Sequence, residues 1–351
     1  MVHFLAGVAV LRSALTRNLG PTAAAWRQTR RTHNRGTAKG EFVSYRLSHR
    51  ALVRVQGPDT TTFLQGLVTN DMNALSEAGS SSLYSHMLNL QGRTLFDLII
   101  YSLTKMLRAE PAVLLECDST VIDSIQKHLK VYKIRRKVSI SPCADLILWA
   151  VLPRRSEGGT EDTAPELLVP DAALVWDADP RTKAMGWRLV ADKGVNPTEL
   201  ITSCQQGETE EYHRHRYTIG VPEGVEDLPP AVALPLEANL VYMQGISFTK
   251  GCYLGQELTA RTHHTGVIRK RLMPVRLSVP PGYVPRQGGA PLVTRAGKPA
   301  GKHLSTLGDH GLSLVRLDYA KEPLLLQEPG GPAVTLEASI PDWWPTKNQG
   351  S

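Results

Sequence analysis

The chain has 351 residues, more than one hydrophobic core usually organises, so two or three domains are expected. A hydrophobic fraction of 42% and a charged fraction of 21% are typical of a soluble globular protein. The formal net charge is +7, but residues 1–40 hold seven basic and no acidic side chains, and the rest of the chain is balanced at 33 of each sign. The charge therefore does not indicate a nucleic-acid-binding surface on the folded part.

Residues 1–40 alternate arginine with small, apolar and hydroxyl side chains, which is typical of a mitochondrial transit peptide. The apolar residues 4–11 would suit a secretory signal, but no Lys or Arg precedes them and the following region is strongly basic. We therefore expect a transit peptide over 1–40 and a location in the mitochondrial matrix. No later run approaches the eighteen or so apolar residues of a membrane span, so none is expected.

Residues 41–265 show patterns of an α+β region. Alternation predicts a strand at 52–55, apolar spacing predicts a helix at 60–67, and the Gln91-Gly92-Arg93 turn between 82–90 and 94–103 predicts a hairpin of buried strands. Further strands are predicted at 112–117, 138–140, 146–152, 174–176 and 187–190, with helices at 120–132 and 196–215. A mobile surface insertion is expected near 154–166, where Ser, Gly, Thr and Pro accumulate.

Residues 266–351 have a different sequence pattern, which predicts short strands separated by Gly and Pro turns. The strands are predicted at 268–277, 283–284, 291–294, 301–305, 311–317 and 333–338. This pattern predicts a small all-β barrel with a tail as a separate C-terminal domain.

The four cysteines, at positions 117, 143, 204 and 252, contain no Cys-x-x-Cys pair. This spacing argues against a zinc ribbon and against a self-contained iron-sulfur site. A disulfide framework is equally unexpected in a long chain bound for a reducing compartment.

Cys252 lies in the segment Lys250-Gly251-Cys252-Tyr253-Leu254-Gly255-Gln256-Glu257, which has the features expected around a reactive cysteine. A cation two residues earlier favours the thiolate, and glycines at 251 and 255 allow close approach. Good helix formers follow, with Glu257 and Arg261 four apart, so Cys252 is expected on a loop just before a helix, with an ion pair between those two side chains. The alternative is a buried structural cysteine.

His263 and His264 follow Cys252 by eleven and twelve residues and could support the thiol or act as occasional ligands. One of them could also activate Cys252 as the nucleophile of an enzyme, although no third orienting residue is evident. Adjacent histidines cannot both point the same way.

Five fragments together carry a resemblance to a known family: residues 54–59, 63–66 with 69–71, 91–93, 216–222 and, above all, 250–257. With them the chain resembles the folate-binding-protein-like branch of the aminomethyltransferase (glycine cleavage T-protein) superfamily. Within that branch it resembles the mitochondrial iron-sulfur cluster assembly factors, which act late in the maturation of [4Fe-4S] proteins. The resemblance covers nearly all of residues 41–320.

The resemblance implies a T-protein-like α+β fold, in which two intertwined modules surround a central cavity and a C-terminal β-barrel closes the molecule. Asn70, Asp97 and Arg216 would line a vestigial tetrahydrofolate cavity. Phe96 and Thr218 stand where the transferases carry carboxylates, and a missing carboxylate leaves pterin N–H groups unpaired. The resemblance therefore implies weakened folate binding and an assembly factor rather than an enzyme, with a tetrahydrofolate-dependent one-carbon transferase as the alternative.

The resemblance also implies a role for Cys252 in cluster chemistry. A [2Fe-2S] cluster needs four ligands, usually thiolates, so one cysteine would have to share the cluster with a partner. The family implies an A-type iron-sulfur scaffold protein as that partner, with Lys250 offsetting the cluster's negative charge. The rest of the motif, Gly251, Tyr253, Gly255, Gln256, Glu257 and Arg261, would support it. A simpler reading is an interaction protein whose cysteine is incidental.

Overall fold

The computed structural model describes residues 41–77, 80–103, 110–154, 164–328 and 330–345. The predicted transit peptide and most of the predicted insertion, residues 155–163, lie outside the described residues. Across the described part of the chain, no helix has the length and apolar content needed to cross a lipid bilayer.

Ten strands of the described chain form two five-stranded sheets. They are β1 (Phe42–Arg46), β2 (Arg50–Gln56), β3 (Ser82–Leu88), β4 (Thr94–Ser102), β5 (Ala112–Asp118), β6 (Ser139–Pro142), β7 (Leu146–Pro153), β8 (Ala173–Ala178), β9 (Trp187–Asp192) and β10 (Cys204–Gly207). One sheet has the order β3-β4-β5-β2-β6 and the other β10-β1-β7-β9-β8. The chain thus starts one sheet with β1, builds the other with β2 to β6, and returns to the first with β7, which makes the two modules intertwined as predicted.

The helices of the described chain are short, and the longest have eleven residues. They are α1 (Thr60–Gln65), α2 (Ala74–Glu77), α3 (Ile122–Tyr132), α4 (Pro197–Leu200), α5 (Thr209–Ile219), α6 (Gly224–Asp227) and α7 (Gln256–Thr265), with single 3₁₀ turns at Ser119–Val121, Pro170–Ala172, Lys183–Met185 and Leu317–Tyr319. In α3, Ile125 and Leu129 are buried one turn apart, which is the spacing that predicted the helix.

The predicted helix over 196–215 is wrong in its middle. Strand β10 occupies Cys204–Gly207 and pairs in parallel with β1. At Gly207 an added Cβ would lie 2.6 Å from side-chain atoms of both Val43 and Tyr45, so the close pairing requires the glycine. The open edge of β1 decides this strand, because four residues of mixed polarity carry no period of their own.

Six strands close into the C-terminal barrel in the order β11-β14-β13-β12-β15-β16. They are β11 (Lys270–Ser278), β12 (Ala290–Thr294), β13 (Pro299–Leu307), β14 (His310–Arg316), β15 (Leu324–Leu326) and β16 (Val334–Ala338). The predicted strand at 283–284 is wrong, since Val284 is 75% exposed outside any strand. The three-residue β15 was not predicted, although it closes the barrel between β12 and β16.

Candidate functional site

Cys252 is the exposed cysteine of the described chain, whereas Cys117 and Cys143 are buried and Cys204 is half-buried. Helix α7 begins at Gln256, so the prediction of a loop just before a helix is confirmed, and the exposure of Cys252 rules out the alternative of a buried structural cysteine. Gly251, beside the thiol, has φ +92° and no heavy atom within 4 Å of the place where a Cβ would lie. The backbone next to Cys252 is therefore open on that side.

Lys250 fastens this loop to the end of α1. Its Nζ donates to the backbone oxygens of Gln65 and Val68, both at 2.6 Å, and lies 5.0 Å from the ring centre of Tyr253. Burial lowers the pKa of Lys250 to about 8, an effect that Asp71 partly opposes. Lys250 thus has a structural role that the sequence did not reveal, because its partners lie about 185 positions away in the chain.

The backbone reinforces the same contact. Leu254 N donates to the oxygen of Gly66 at 3.0 Å, and the amide of Gln65 donates to Asp71 at 2.8 Å and to the oxygen of Lys250 at 3.4 Å. The fragments 63–71 and 250–257, which the sequence treats separately, form one hydrogen-bonded unit. Gln65 is a supporting residue that the sequence analysis did not single out.

Gly255 packs the loop onto the turn between β3 and β4. It has φ +79°, and an added Cβ would lie 2.2 Å from the oxygen of Asn89. Gly92 faces the same contact, because its own Cβ would lie 2.9 Å from the oxygen of Gly255. Leu90, at the tip of this turn, is 72% exposed. The Gln91-Gly92-Arg93 fragment therefore contacts the cysteine loop, residues 250–255, at Gly255, whereas α1 contacts it at Lys250.

The segment that leads into the loop is held by Asn70 and its neighbour. Asn70 Nδ2 donates to the oxygens of Tyr84 at 2.8 Å and Gln244 at 2.7 Å. Thr69 Oγ1 donates to the oxygen of Gly245 at 2.7 Å, and Ser247 N donates to the oxygen of Thr69 at 3.0 Å. Asn70, predicted for the folate cavity, here holds the segment that precedes Cys252 through its bond to Gln244.

Gln256, the first residue of helix α7, is tied back to the preceding loop, since its side chain accepts a hydrogen bond from Tyr253 N at 3.1 Å. Glu257 and Arg261 are both exposed, and the predicted ion pair between them does not form in the described chain. This fits the low value of solvent-exposed ion pairs, which seldom offset the entropy of ordering two long side chains.

The two histidines lie at the far end of α7, and both are exposed. The ring of His263 stacks on Phe248, with centroids 3.6 Å apart and planes at 9°, and His264 meets His263 edge-on at 5.2 Å. Since Phe248 belongs to the segment before Cys252, His263 packs against the chain that leads into the loop. Within the described residues, no group of three or more His, Cys, Asp or Glu side chains could hold a metal ion.

The predicted folate-cavity residues Asp97 and Arg216 take part in buried ion pairs. Asp97 pairs with Arg50 at 3.2 Å, and Arg216 pairs with Asp227. A wider buried layer joins the two sheets through Arg50, Glu116, Asp179, Arg181, Arg188 and Glu223. Of the two residues predicted to depart from the transferase pattern, Phe96 packs in the apolar core beside His128, whereas Thr218 is exposed and donates to the oxygen of Arg214 at 2.8 Å.

The electrostatics of this layer centre on Glu223. Burial opposes its charge, yet Arg181, a hydrogen bond from His49, and Arg50 and Arg188 hold the pKa of the carboxyl well below its usual range. A carboxylate paired in this way is already supplied with donors, so it has little capacity left to accept from a pterin.

Comparisons with known proteins agree with this geometry. Residues 269–346 match the CAF17 C-terminal beta-barrel domain. The aminomethyltransferase T of the glycine cleavage system from Bartonella henselae has a similar structure, with a TM-score of 0.63, 15% identity and 86% of each chain covered, which shows the shared fold.

Similar sequences carry a more specific name. The mitochondrial iron-sulfur cluster assembly factor IBA57 of Mus musculus is 48% identical over 87% of this chain and 86% of its own length. The human protein of the same name is also 48% identical, over 88% and 87%, and the Aspergillus fumigatus homolog is 33% identical over 87% and 76%. At this identity and coverage, the chain belongs to the IBA57 family of mitochondrial iron-sulfur cluster assembly factors.

Proposed function

We propose that this protein acts late in mitochondrial iron-sulfur cluster assembly, in the matrix, where it helps an A-type scaffold protein mature [4Fe-4S] proteins. Cys252 supplies one ligand to a [2Fe-2S] cluster that the two proteins share. The observation that carries the proposal is that Cys252 is exposed on a loop whose other residues are fixed, Lys250 at the end of α1 and Gly255 at the β3–β4 turn. The IBA57 names of the relatives support the same pathway.

The ligand count favours a shared cluster. Four ligands are needed, and the described chain offers no group of three or more His, Cys, Asp or Glu side chains that could hold a metal ion. A single accessible thiolate can complete a cluster only if a partner brings the other ligands. The open backbone at Gly251 leaves room for that partner beside the thiol.

The test is an anaerobic mixture of the mature chain, an A-type scaffold protein and a [2Fe-2S] donor, followed by visible absorption and circular dichroism. We expect a cluster signal in a stable heterocomplex with the wild type and loss of most of it with Cys252→Ser. Cys204→Ser, which changes a half-buried cysteine outside the loop, is the matched control and should leave the signal intact. Equal signals from wild type and Cys252→Ser would exclude Cys252 as a ligand.

A tetrahydrofolate-dependent one-carbon transferase is the second candidate, because the fold is that of an aminomethyltransferase. Against it stand the ion pairs of Asp97 and Arg216, which occupy the side chains expected to meet the pterin. Submillimolar tetrahydrofolate binding together with measurable aminomethyl transfer would favour this candidate over the assembly factor.

A further inference from the structure

A groove of about 350 Å³ runs along α7, the helix that begins four residues after Cys252. Its apolar wall includes Leu236, Leu258, Val267 and Ile268. Gly92 lines the groove as well, and an added Cβ there would lie 2.9 Å from the oxygen of Gly255 and 3.0 Å from the Cβ of Leu258. The groove and the cysteine loop therefore share a wall.

A buried hydroxyl in the groove has no partner. Thr259 lines the groove and is 2% exposed, and its Oγ1 makes no hydrogen bond with any described residue. Buried hydroxyls are usually satisfied, because an unpaired one loses its bonds to water without replacement. An unpaired hydroxyl on a residue that lines an apolar groove could pair with a polar backbone or side-chain group of a bound ligand.

The groove also carries excess positive charge. Arg269, Lys270 and Arg316 line it, and Glu237 is the carboxylate among its lining residues. Arg269 and Arg316 are exposed and belong to no ion pair in the described chain. Three cations against one carboxylate favour a ligand with acidic groups.

We propose that this groove binds an extended segment of the protein partner, in which an apolar side chain is flanked by acidic residues. The inference rests on the proposed function, since the segment belongs to the protein that brings the remaining cluster ligands to Cys252. The apolar wall takes the side chain, Thr259 pairs with a polar group of the segment, and the three cations face its carboxylates. Because the groove adjoins the cysteine loop, the partner docks there while its ligands reach the thiol.

The experiment measures the dissociation constant of an A-type scaffold protein, without its cluster, for the mature chain by anaerobic calorimetry. Val267→Asp places a charge on the apolar rim, and Arg316→Glu reverses one cation. We expect each to weaken binding about tenfold or more. The matched controls are Val284→Asp and Arg295→Glu on exposed barrel sites; Val284 is 75% exposed and Val267 is 76% exposed. The controls should stay within about twofold of the wild type.

Wild-type affinity for both Val267→Asp and Arg316→Glu, with unchanged thermal melting, would overturn the inference. So would a dimer of this chain, seen by light scattering without the scaffold and abolished by Val267→Asp, because the groove would then receive a second copy. Cys252→Ser separates the two proposals: it should lose the cluster signal but keep the affinity for the cluster-free scaffold. If the wild type binds the scaffold through the groove yet shows no cluster signal, the docking inference stands and the shared-ligand proposal fails.

Discussion

At the scale of single residues, the site depends on two glycines with different requirements. Gly251 and Gly255 both have positive φ, at +92° and +79°. Only Gly255 is also crowded, because the oxygen of Asn89 occupies the space that a side chain would need. Gly251 keeps the backbone beside the thiol open, whereas Gly255 holds the loop against its neighbour.

Gly255→Ala should therefore cost more than Gly251→Ala. We expect Gly255→Ala to lower the free energy of unfolding by about 2–4 kcal/mol, since the left-handed backbone and the clash with Asn89 add. Gly251→Ala carries the backbone strain alone and should cost about 1–2 kcal/mol. Urea unfolding of the two variants measures the difference, and equal costs would contradict the packing role of Gly255.

At the scale of elements, the cysteine loop contacts both the end of α1 and the β3–β4 turn. The last carbonyls of a helix have no intrahelical partner, and a cation near them is stabilising. Lys250 supplies that cation where α1 ends, and its Nζ also lies 5.0 Å from the ring centre of Tyr253. The loop is thus held by the carbonyl of the last helical residue, Gln65, and by that of Val68 just beyond the helix.

Lys250→Met should leave those carbonyls unpaired and cost about 1–3 kcal/mol of unfolding free energy. The cost should also depend on pH. Because burial lowers the pKa of Lys250 from 10.5 to about 8, the unfolded state binds more protons between these values, and the stability from this group rises with pH there.

The measurement is the difference in unfolding free energy between wild type and Lys250→Met from pH 7 to about pH 10.5. We expect a constant difference below about pH 8 and an increasing one above it. Lys298→Met, at an exposed barrel lysine, serves as the control. A difference that stays flat across the range would show that Lys250 is not held in the buried position described.

At the scale of the whole molecule, a buried layer of ion pairs joins the two sheets. Glu223 connects the layer, because it accepts from Arg181 at 2.8 Å, Arg188 at 3.1 Å and Tyr212 at 2.7 Å. His49 meets its other oxygen at 2.8 Å. Removing one member of such a layer leaves the opposing charges buried without compensation.

Glu223→Gln should accordingly lower the free energy of unfolding by about 3–5 kcal/mol. Glu210→Gln is the control, because Glu210 is 63% exposed in its pair with Arg214 and should change stability by about 0–1 kcal/mol.

The pH dependence of stability gives a second readout for Glu223. Its pKa lies well below the ordinary value of 4.5, so its stabilisation is fully present above that pH and is lost as the pH falls toward the folded-state pKa. Wild type should lose stability in this acid range more steeply than Glu223→Gln. If stability falls with pH to the same extent in wild type and Glu223→Gln, the charge of Glu223 does not stabilise the fold through these ion pairs.

The sequence by itself determined the elements whose pattern is local. The hairpin of β3 and β4 follows from two apolar runs around Gln91-Gly92-Arg93, and α3 follows from the spacing of Ile125 and Leu129. The position of Cys252 before a helix follows from glycine punctuation and the helix formers after it. The fold itself came from a resemblance of motifs, which carry more information than periodicity.

The tertiary structure alone decided which of these pieces meet. Strand β10 exists because β1 offers an open edge, and Lys250 finds its acceptors about 185 residues earlier in the chain. The groove along α7 is assembled from separate stretches that include Gly92, Leu236, Thr259 and Arg316. Local patterns encode which face of an element is buried, but the partner across that face depends on topology, because contacts between distant residues form only once the chain has folded.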